Sequence, residues 1–285
     1  MRLYWRFSAV ILVLASLLAI AAAPAAADER KAKDYLALGD SVAFGFSPLL
    51  DPRNAANFVG YPDVVARDEE LRLTNASCPG EATGGFISLT SPDDNGCRRY
   101  RFTFGLPLHV NYSSSQLDFT LSFLASHPRT RLVTIDIGAN DLFVFQRQCG
   151  TDAACLETKL ASTIPANLNT IFGQIRNNAH YHHQLVSLTY YALNYNDPNA
   201  VAVVTFLNTL IANATVAAGG QVASGFDAFK PVAVAAGGGD SCAAGLLIRT
   251  SPTTCDIHPS PQGRDLLAAA IERVLVDEAD GAQVR

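Results

Sequence analysis

Short apolar runs alternate along this chain with longer stretches of helical periodicity. Five runs are predicted to be strands, at residues 34–38, 71–75, 131–137, 184–189 and 221–226. Five stretches between and after them are predicted to be helices, at residues 61–70, 116–126, 153–178, 199–218 and 261–277. Right-handed crossovers place helices in such an order on both faces of a parallel sheet. The pattern therefore predicts an α/β protein with a three-layer, doubly wound fold.

The first predicted strand ends in the tripeptide Gly39-Asp40-Ser41. A serine directly after a strand lies at the carboxyl edge of an α/β sheet, where ligands bind. A hydroxyl is a poor nucleophile near neutral pH, so a catalytic serine needs an imidazole and usually a group that orients this imidazole. The segment Asp256-Ile257-His258-Pro259 offers both groups. We predict Ser41 as a nucleophile and His258 as its base; the alternative is an ordinary turn, which Gly, Asp and Ser also form.

Two further segments offer donors for the oxyanion that forms during acyl transfer. Gly138-Ala139-Asn140-Asp141 follows a β-branched run, so Asn140 is expected on the same sheet edge as Ser41, with its side-chain amide available as a donor. Gly80 lies in the loop 75–83, after the second predicted strand. A glycine there lets the backbone approach a ligand closely and donate its N–H.

These four segments, in this order, resemble the SGNH (GDSL) hydrolase family, and the resemblance spans nearly the whole chain after its amino terminus. It implies a flavodoxin-like sheet of five parallel strands with the active site along its carboxyl edge. It also implies an esterase-like hydrolase. In the family, the serine N–H, a glycine N–H and an asparagine amide bind the oxyanion, and these roles fall on Ser41, Gly80 and Asn140.

The last segment departs from the commonest family pattern, in which an aspartate stands three residues before the histidine. Position 255 is a cysteine, and the nearest acid, Asp256, stands only two residues before His258. Neighbouring residues on an extended segment point to opposite sides, so the two acid positions do not reach the imidazole in the same way. We name Asp256 as the third catalytic residue; a main-chain carbonyl is the alternative orienting group.

The amino terminus has the composition of a secretory signal peptide. Arg2 and Arg6 precede the apolar stretch 7–23, and Ala25-Ala26-Ala27 offers a small-residue cleavage site. A membrane anchor is the competing interpretation, but the apolar core is short and rich in alanine, and we expect no second span downstream. The sequence therefore predicts a secreted protein with a signal peptide at residues 1–27 and one catalytic domain at residues 28–285.

Six cysteines remain after the predicted cleavage site. An even number in an exported protein indicates three disulfides rather than free thiols or a metal site, although six cysteines allow fifteen pairings. Nearest-neighbour pairing would close three short loops, and the family resemblance favours it. Those pairs are Cys78 with Cys97, Cys149 with Cys155 and Cys242 with Cys255.

The formal net charge of −5 shows no basic excess, which argues against nucleic acid or an anionic membrane surface as the main partner. His180, His182 and His183 lie where a helix is expected to end, without acidic or thiolate neighbours, so we expect no metal site there. We expect a monomer that needs no cofactor and acts on a small-molecule or lipid ester.

The substrate is less constrained by the sequence than the chemistry, because enzymes with the same catalytic groups differ in pocket shape. The aromatic-rich insertion 84–112 has two interpretations, a wall of an acyl pocket or a surface excursion held by Cys97. Residues 190–194, at the end of the fourth predicted strand, either line the cleft or pack in the core. A lipase or lipid esterase is our first expectation, a carbohydrate esterase the second, and a catalytically inactive binding protein on the same fold the third.

Overall fold

A computed structural model describes residues 33–91 and 96–275. Its main sheet has five parallel strands in the spatial order β2-β1-β3-β4-β5. They are β1 (Asp34–Gly39), β2 (Arg72–Asn75), β3 (Thr130–Asp136), β4 (Gln184–Thr189) and β5 (Gln221–Ser224). The predicted fold class is confirmed, with the flavodoxin-like order that the family resemblance implied. The predicted signal peptide lies outside the described residues.

Ten α-helices connect and cover these strands within the described ranges. They are α1 (Ser41–Phe44), α2 (Tyr61–Asp68), α3 (Thr83–Ile87), α4 (Gly96–Arg98), α5 (Gln116–Ser126), α6 (Ala139–Cys149), α7 (Ala153–Gly173), α8 (Pro198–Ala217), α9 (Gly225–Gly237) and α10 (Pro261–Glu272). Helix α10 contacts α2 and α9, whereas α7 contacts α3, α6 and α8. The two groups form the outer layers on either side of the sheet, as right-handed crossovers require.

The central strands form because their side chains are apolar enough to be covered on both faces. All six residues of β1 are buried, and so are all residues of β3 except Arg131. The register pairs Gly39 with Asp136, so that the loops after β1 and β3 start side by side. Gly39 has a φ of +125°, and a Cβ there would lie 2.1 Å from the carbonyl oxygen of Asp136. Only glycine fits this close approach of the two strand ends.

A second, two-stranded antiparallel sheet carries the segment with His258. Its strands are β6 (Leu247–Arg249) and β7 (Cys255–Pro259), which the sequence did not predict. The structure contains the three nearest-neighbour disulfides, and one of them, Cys242–Cys255, holds the first residue of β7. A short cross-link of this kind limits how far the β7 segment can move from the main domain.

The insertion 84–112 packs behind the helix that begins at Ser41. Its residues Cys97, Tyr100 and Leu108 form a small apolar cluster with Phe44 and Phe58, and Phe86 joins the main core. Two of its aromatic side chains, Phe102 and Phe104, are exposed. The described part of the insertion therefore supports the Ser41 turn from behind.

Helix α8 is long and apolar enough to cross a membrane by length and composition alone. We expected no second membrane-spanning segment after the amino terminus, yet α8 has the length and hydropathy of one. In the domain, Val204, Leu207 and Ile211 are buried, and Asn208 exchanges hydrogen bonds with the backbone of Tyr190. These contacts make α8 part of the layer that covers β4 and β5.

Candidate active site

Ser41 is the first residue of α1, immediately after β1. The preceding residue, Asp40, caps this short helix, and its Oδ1 accepts a hydrogen bond of 2.9 Å from the N–H of Val42. Because Ser41 lies in the first turn, its own N–H has no partner within the helix and can point toward a ligand. The end of β1 thus sets the position of Ser41, and the cap by Asp40 stabilises the turn in which Ser41 lies.

The side chain of His258 reaches Ser41 from β7. Its Nε2 lies 2.8 Å from the Oγ of Ser41. The ring also contacts that of Phe46, with 5.0 Å between centroids. A serine hydroxyl and an imidazole nitrogen at this distance form the hydrogen bond that proton transfer between them requires.

Asp256 hydrogen-bonds the other side of the same imidazole. Its Oδ1 contacts the Nδ1 of His258 and also accepts a bond of 3.0 Å from the N–H of His258. Residues two apart on an extended strand lie on the same side, which is why an acid at position 256 reaches the ring. The hydrogen bond with His258 lowers the pKa of the Asp256 carboxyl below its ordinary value, against a smaller effect of burial. Asp256 is therefore an anion at neutral pH.

The alternative orienting group, a main-chain carbonyl, does not occupy that position. The carbonyl of Ile257, between the two side chains, instead accepts a hydrogen bond of 2.7 Å from the hydroxyl of Tyr191. Tyr191 is buried at the end of β4 and so ties the β7 segment to the main sheet.

Gly80 and Asn140 lie on the same edge as Ser41. Gly80 has a φ of +80°, and a Cβ there would lie 2.8 Å from the Cα of Gly96, so this tight loop accepts only glycine. The Nδ2 of Asn140 donates to the carbonyl of Glu81 at 2.9 Å and to the Oδ2 of Asp40 at 3.2 Å. The amide therefore links the loop of Gly80 to the turn of Ser41.

The loop of Gly80 is fixed by buried polar contacts at its far end. Asp141, next to Asn140 on α6, accepts bonds of 2.9 and 2.6 Å from the N–H and hydroxyl of Thr83. Asn167 donates to the same hydroxyl at 2.8 Å. The disulfide Cys78–Cys97 holds the other end. The loop of Gly80 and the first turn of α6, which contain the two oxyanion candidates, are thus held together by these contacts.

A cavity of about 540 Å³ opens beside Ser41 and His258. Its apolar lining comes from Leu142 and Phe143 on α6, Val203, Val204 and Leu207 on α8, and Leu193. Within the described part of the chain, no residue of the insertion 84–112 lines it. Helices α6 and α8 therefore supply much of the apolar wall, together with residues that follow β4; of these two helices, α6 was not predicted from the sequence.

Two consecutive tyrosines at the end of β4 belong to this site, although the sequence did not decide between cleft and core for them. Both are buried and both line the cavity. The hydroxyl of Tyr190 donates to the Oδ2 of Asp40 at 2.7 Å, and that of Tyr191 donates to the Ile257 carbonyl. Their position directly after a predicted strand was the available signal.

Comparison with solved structures gives the same fold. An extracellular lipase from Streptomyces rimosus is 19% identical, with a TM-score of 0.56 over 86% of this chain and 100% of that chain. A phospholipase A1 from Streptomyces albidoflavus NA297 is 18% identical, with a TM-score of 0.54 over 86% and 100%. An acetyl xylan esterase from Geobacillus stearothermophilus is 14% identical, with a TM-score of 0.51 over 85% and 93%. No curated protein sequence matches this chain significantly.

The fold is a doubly wound α/β fold, and a serine, an imidazole and a carboxylate are hydrogen-bonded in sequence at the carboxyl edge of its sheet. This is the arrangement of a serine hydrolase. The family model of the GDSL-like lipases and acylhydrolases matches residues 37–266, which include all four motifs. The chain belongs to this family and is a carboxylic-ester hydrolase. Its substrates are small-molecule esters.

Proposed function

We propose that the chain is a secreted esterase or lipase that works through an acyl-enzyme, with Ser41 as the nucleophile. The contact between the Oγ of Ser41 and the Nε2 of His258 carries this proposal. The hydroxyl oxygen attacks the ester carbonyl while its proton passes to Nε2. The protonated imidazole then gives that proton to the leaving alcohol, and a water molecule, activated by the same nitrogen, releases the acid.

Asp256 has the orienting role in this proposal. Its anionic carboxylate accepts the Nδ1–H of His258, which leaves Nε2 free to accept a proton from Ser41. When the ring becomes protonated, the same carboxylate stabilises the positive charge. The bond from the His258 N–H fixes the carboxylate in the plane where it can do so.

The oxyanion would be bound by the N–H groups of Ser41 and Gly80 and by the amide of Asn140. Both amide protons of Asn140 are already donated within the protein, to Glu81 and to Asp40. An oxyanion would share the N–H that Asn140 donates to Asp40 in the longer bond, so that Asp40 continues to hold the amide. The amide is thus held close to its working position before substrate binds.

Asn140→Ala is expected to lower kcat by about 10²- to 10³-fold with little change in KM, because the lost donor acts mainly on the transition state. Steady-state kinetics with a short-chain nitrophenyl ester measures both constants. Asn213→Ala, an identical change at an exposed position of α8, is the matched control. A rise in KM with kcat unchanged would contradict an oxyanion role for Asn140.

We propose that the substrate carries an acyl chain longer than acetyl. The support is the cavity beside Ser41, whose walls on α6 and α8 are largely apolar. An alkyl chain leaves water on entering such a pocket, whereas an acetyl group uses little of it. The second candidate, a carbohydrate acetylesterase, needs polar groups for the sugar and no deep apolar volume.

A panel of nitrophenyl esters of increasing acyl length tests the substrate proposal. We expect kcat/KM to rise by roughly tenfold from acetyl to butanoyl, since each buried CH₂ contributes about 0.8 kcal/mol. Val203→Trp, which fills the cavity from α8, should remove this gain and leave acetyl hydrolysis nearly unchanged. Thr205→Trp, on the exposed side of the same helix, is the matched control. A preference for acetyl esters would favour the carbohydrate esterase.

We propose secretion for this chain, with cleavage after the small-residue segment 25–27 and a mature domain from residue 28. Three disulfides support it, because such bonds persist in oxidising compartments. Expression of the full chain in a secreting host and mass measurement of the product tests this proposal. A product that retains its first 27 residues in the membrane fraction would contradict it.

A further inference from the structure

Two buried carboxyl groups lie next to each other directly behind Ser41. Asp40 and Asp136 are each 1% exposed. They stand at the ends of the neighbouring strands β1 and β3, and the N–H of Asp40 donates to the carbonyl of Asp136 at 3.1 Å. Their carboxyl groups lie close enough to each other to share a hydrogen bond. A hydrogen bond between two carboxyl groups requires a proton on one of them.

Asp40 has the partners of an anion. Its Oδ1 accepts from the N–H of Val42, and its Oδ2 accepts from the hydroxyl of Tyr190 and from the amide of Asn140. These donors come from three different parts of the site, namely α1, the end of β4 and α6. A carboxylate that accepts several such bonds is stabilised in its charged form even when it is buried.

Asp136 has the partners of a neutral acid. Its Oδ1 accepts a bond of 3.1 Å from the hydroxyl of Tyr61, whereas its Oδ2 is buried without a hydrogen-bond partner in the described part of the chain. The Tyr61 hydroxyl and the N–H of Ala43 favour the charged form of this carboxyl group, with smaller effects than burial. An ionised carboxylate with a bare oxygen is costly in such a site. Burial, and then the charge of Asp40, raise the pKa of Asp136 well above its ordinary value. The proton of the pair therefore belongs on Asp136.

We propose that Asp136 is a positioning residue, whose neutral carboxyl group donates a hydrogen bond to Asp40 and so fixes the shared anchor of the Ser41 turn and the Asn140 amide. This proposal rests on the proposed roles of Ser41 and Asn140. Loss of the Asp136 proton would put two negative charges side by side. Their repulsion would displace Asp40 from the N–H of Val42 and from Asn140, and the nucleophile and one oxyanion donor would lose their alignment together.

Four buried tyrosines and several charged groups face the carboxyl pair. Tyr35 on β1, Tyr61 on α2, and Tyr190 and Tyr191 after β4 surround it, and burial raises the pKa of all four well above the ordinary tyrosine value. Tyrosines start from a higher pKa than carboxyl groups and stay neutral longer. Burial raises the pKa of Asp40 above its ordinary value, and its hydrogen bonds and the imidazole of His258, from β7, oppose this rise. The carboxylate of Asp256 acts on Tyr191. Asp63 on α2 faces Tyr35 and is itself an acid with a raised pKa.

The sign of the pH dependence follows from the raised pKa of Asp136. The folded state holds this proton at pH values where the unfolded chain has lost it. Stability from this group is therefore complete below the ordinary carboxyl pKa and is lost as pH rises toward the folded-state value. The alignment of Ser41 and Asn140 is lost as pH approaches the folded-state pKa of Asp136. The pair thus predicts an alkaline limb of kcat in which Asp136 takes part.

Asp136→Asn is the informative variant, because an amide can still donate to Asp40 and accept from Tyr61 but cannot ionise. We expect kcat within a few-fold of wild type at neutral pH and an alkaline limb that is shifted upward or absent. Asp136→Ala lacks the donor, and its kcat should fall by about 10- to 100-fold, as for loss of a hydrogen bond to a charged group. KM should stay near wild type in both variants, since the acyl cavity is untouched. Asp118→Asn, an exposed change on α5, is the control.

Infrared spectroscopy tests the proton directly and does not depend on activity. The carbonyl stretch of a protonated carboxylic acid should be present at neutral pH in the wild type and lost in Asp136→Asn. An identical spectrum in that region, or an unchanged alkaline limb in Asp136→Asn, would overturn the proposal. If Asp136→Ala does not fold, the infrared spectrum and the pH profile of Asp136→Asn still test the proposal. Full activity in Ser41→Ala would instead overturn the proposed function itself.

Discussion

His258→Ala is expected to lower kcat for ester hydrolysis by about 10⁴-fold or more, with a much smaller change in KM. The reason is the 2.8 Å contact between Nε2 and the Oγ of Ser41, which gives the hydroxyl its only proposed route for losing a proton. Without a base, the serine is almost fully protonated and unreactive near neutral pH. What remains is the contribution of substrate binding and the oxyanion donors, which is well below that of the complete site.

Steady-state kinetics on the purified mature chain checks this prediction. His182→Ala, a change at an exposed histidine that does not line the cavity, is the matched control and should retain full kcat. Thermal unfolding of both variants separates a catalytic effect from a loss of structure. A reduction of less than about tenfold in His258→Ala would mean that another group accepts the proton from Ser41.

Asp256→Asn is expected to lower kcat by about 10³- to 10⁴-fold while the domain stays folded. An asparagine at this position can still accept from the N–H of His258, but it has no charge to stabilise a protonated imidazole. It can also present its own N–H to Nδ1, which holds the ring in the wrong tautomer. The cause of the loss is thus the electrostatics and the tautomer of His258 rather than its position.

The control for Asp256→Asn is Asp265→Asn, where an exposed carboxylate on α10 pairs with its neighbour Arg264. Such surface pairs contribute little, so kcat should not change. Near-normal turnover in Asp256→Asn would return the orienting role to a main-chain carbonyl. It would also mean that the bond between Asp256 and His258 serves only to fix the β7 segment.

The sheet was predictable because its strands are apolar runs of ordinary length separated by helical stretches. All five strands were found within a few residues of the predicted bounds. Helix α6 was missed because it starts inside Gly138-Ala139-Asn140, which has the composition of a loop. Helix α9 was missed because it begins at Gly225 and contains Pro231, both of which are poor helix signals, and the predicted fifth strand extended into its first two residues.

The groups of the site that stand in motifs were predictable, and those that depend on tertiary contacts were not. Ser41 and His258 were identified by residue type and order, and the structure brings their reactive atoms together. Asp136 sits inside a buried β-branched run, where nothing in the local sequence indicates the neighbouring carboxyl of Asp40. The contact of Asp256 with the imidazole of His258 depends on the pairing of β6 with β7 and on the disulfide Cys242–Cys255. No periodicity in the sequence predicts this pairing of two short strands.

The sequence did not decide whether the insertion 84–112 lines an acyl pocket or is a surface excursion, and the cavity beside Ser41 is lined by other described residues. Aromatic residues at positions 86–104 suggested a lining, but packing behind Phe44 uses several of them for support. The cavity is instead lined in part by α8, whose buried residues Val204 and Leu207 belong to the core and also border the cavity. Composition alone does not distinguish these two uses of apolar side chains.

Reaction of the purified mature chain with a fluorophosphonate probe tests most directly whether Ser41 is an activated nucleophile. The probe labels a serine only where a base and oxyanion donors are in position, and it requires no knowledge of the substrate. We predict stoichiometric labelling, located at Ser41 by mass spectrometry, that is abolished in Ser41→Ala and strongly slowed in His258→Ala. No labelling of the folded protein, or labelling at another residue, would contradict the proposed mechanism and favour a binding protein that has kept the fold.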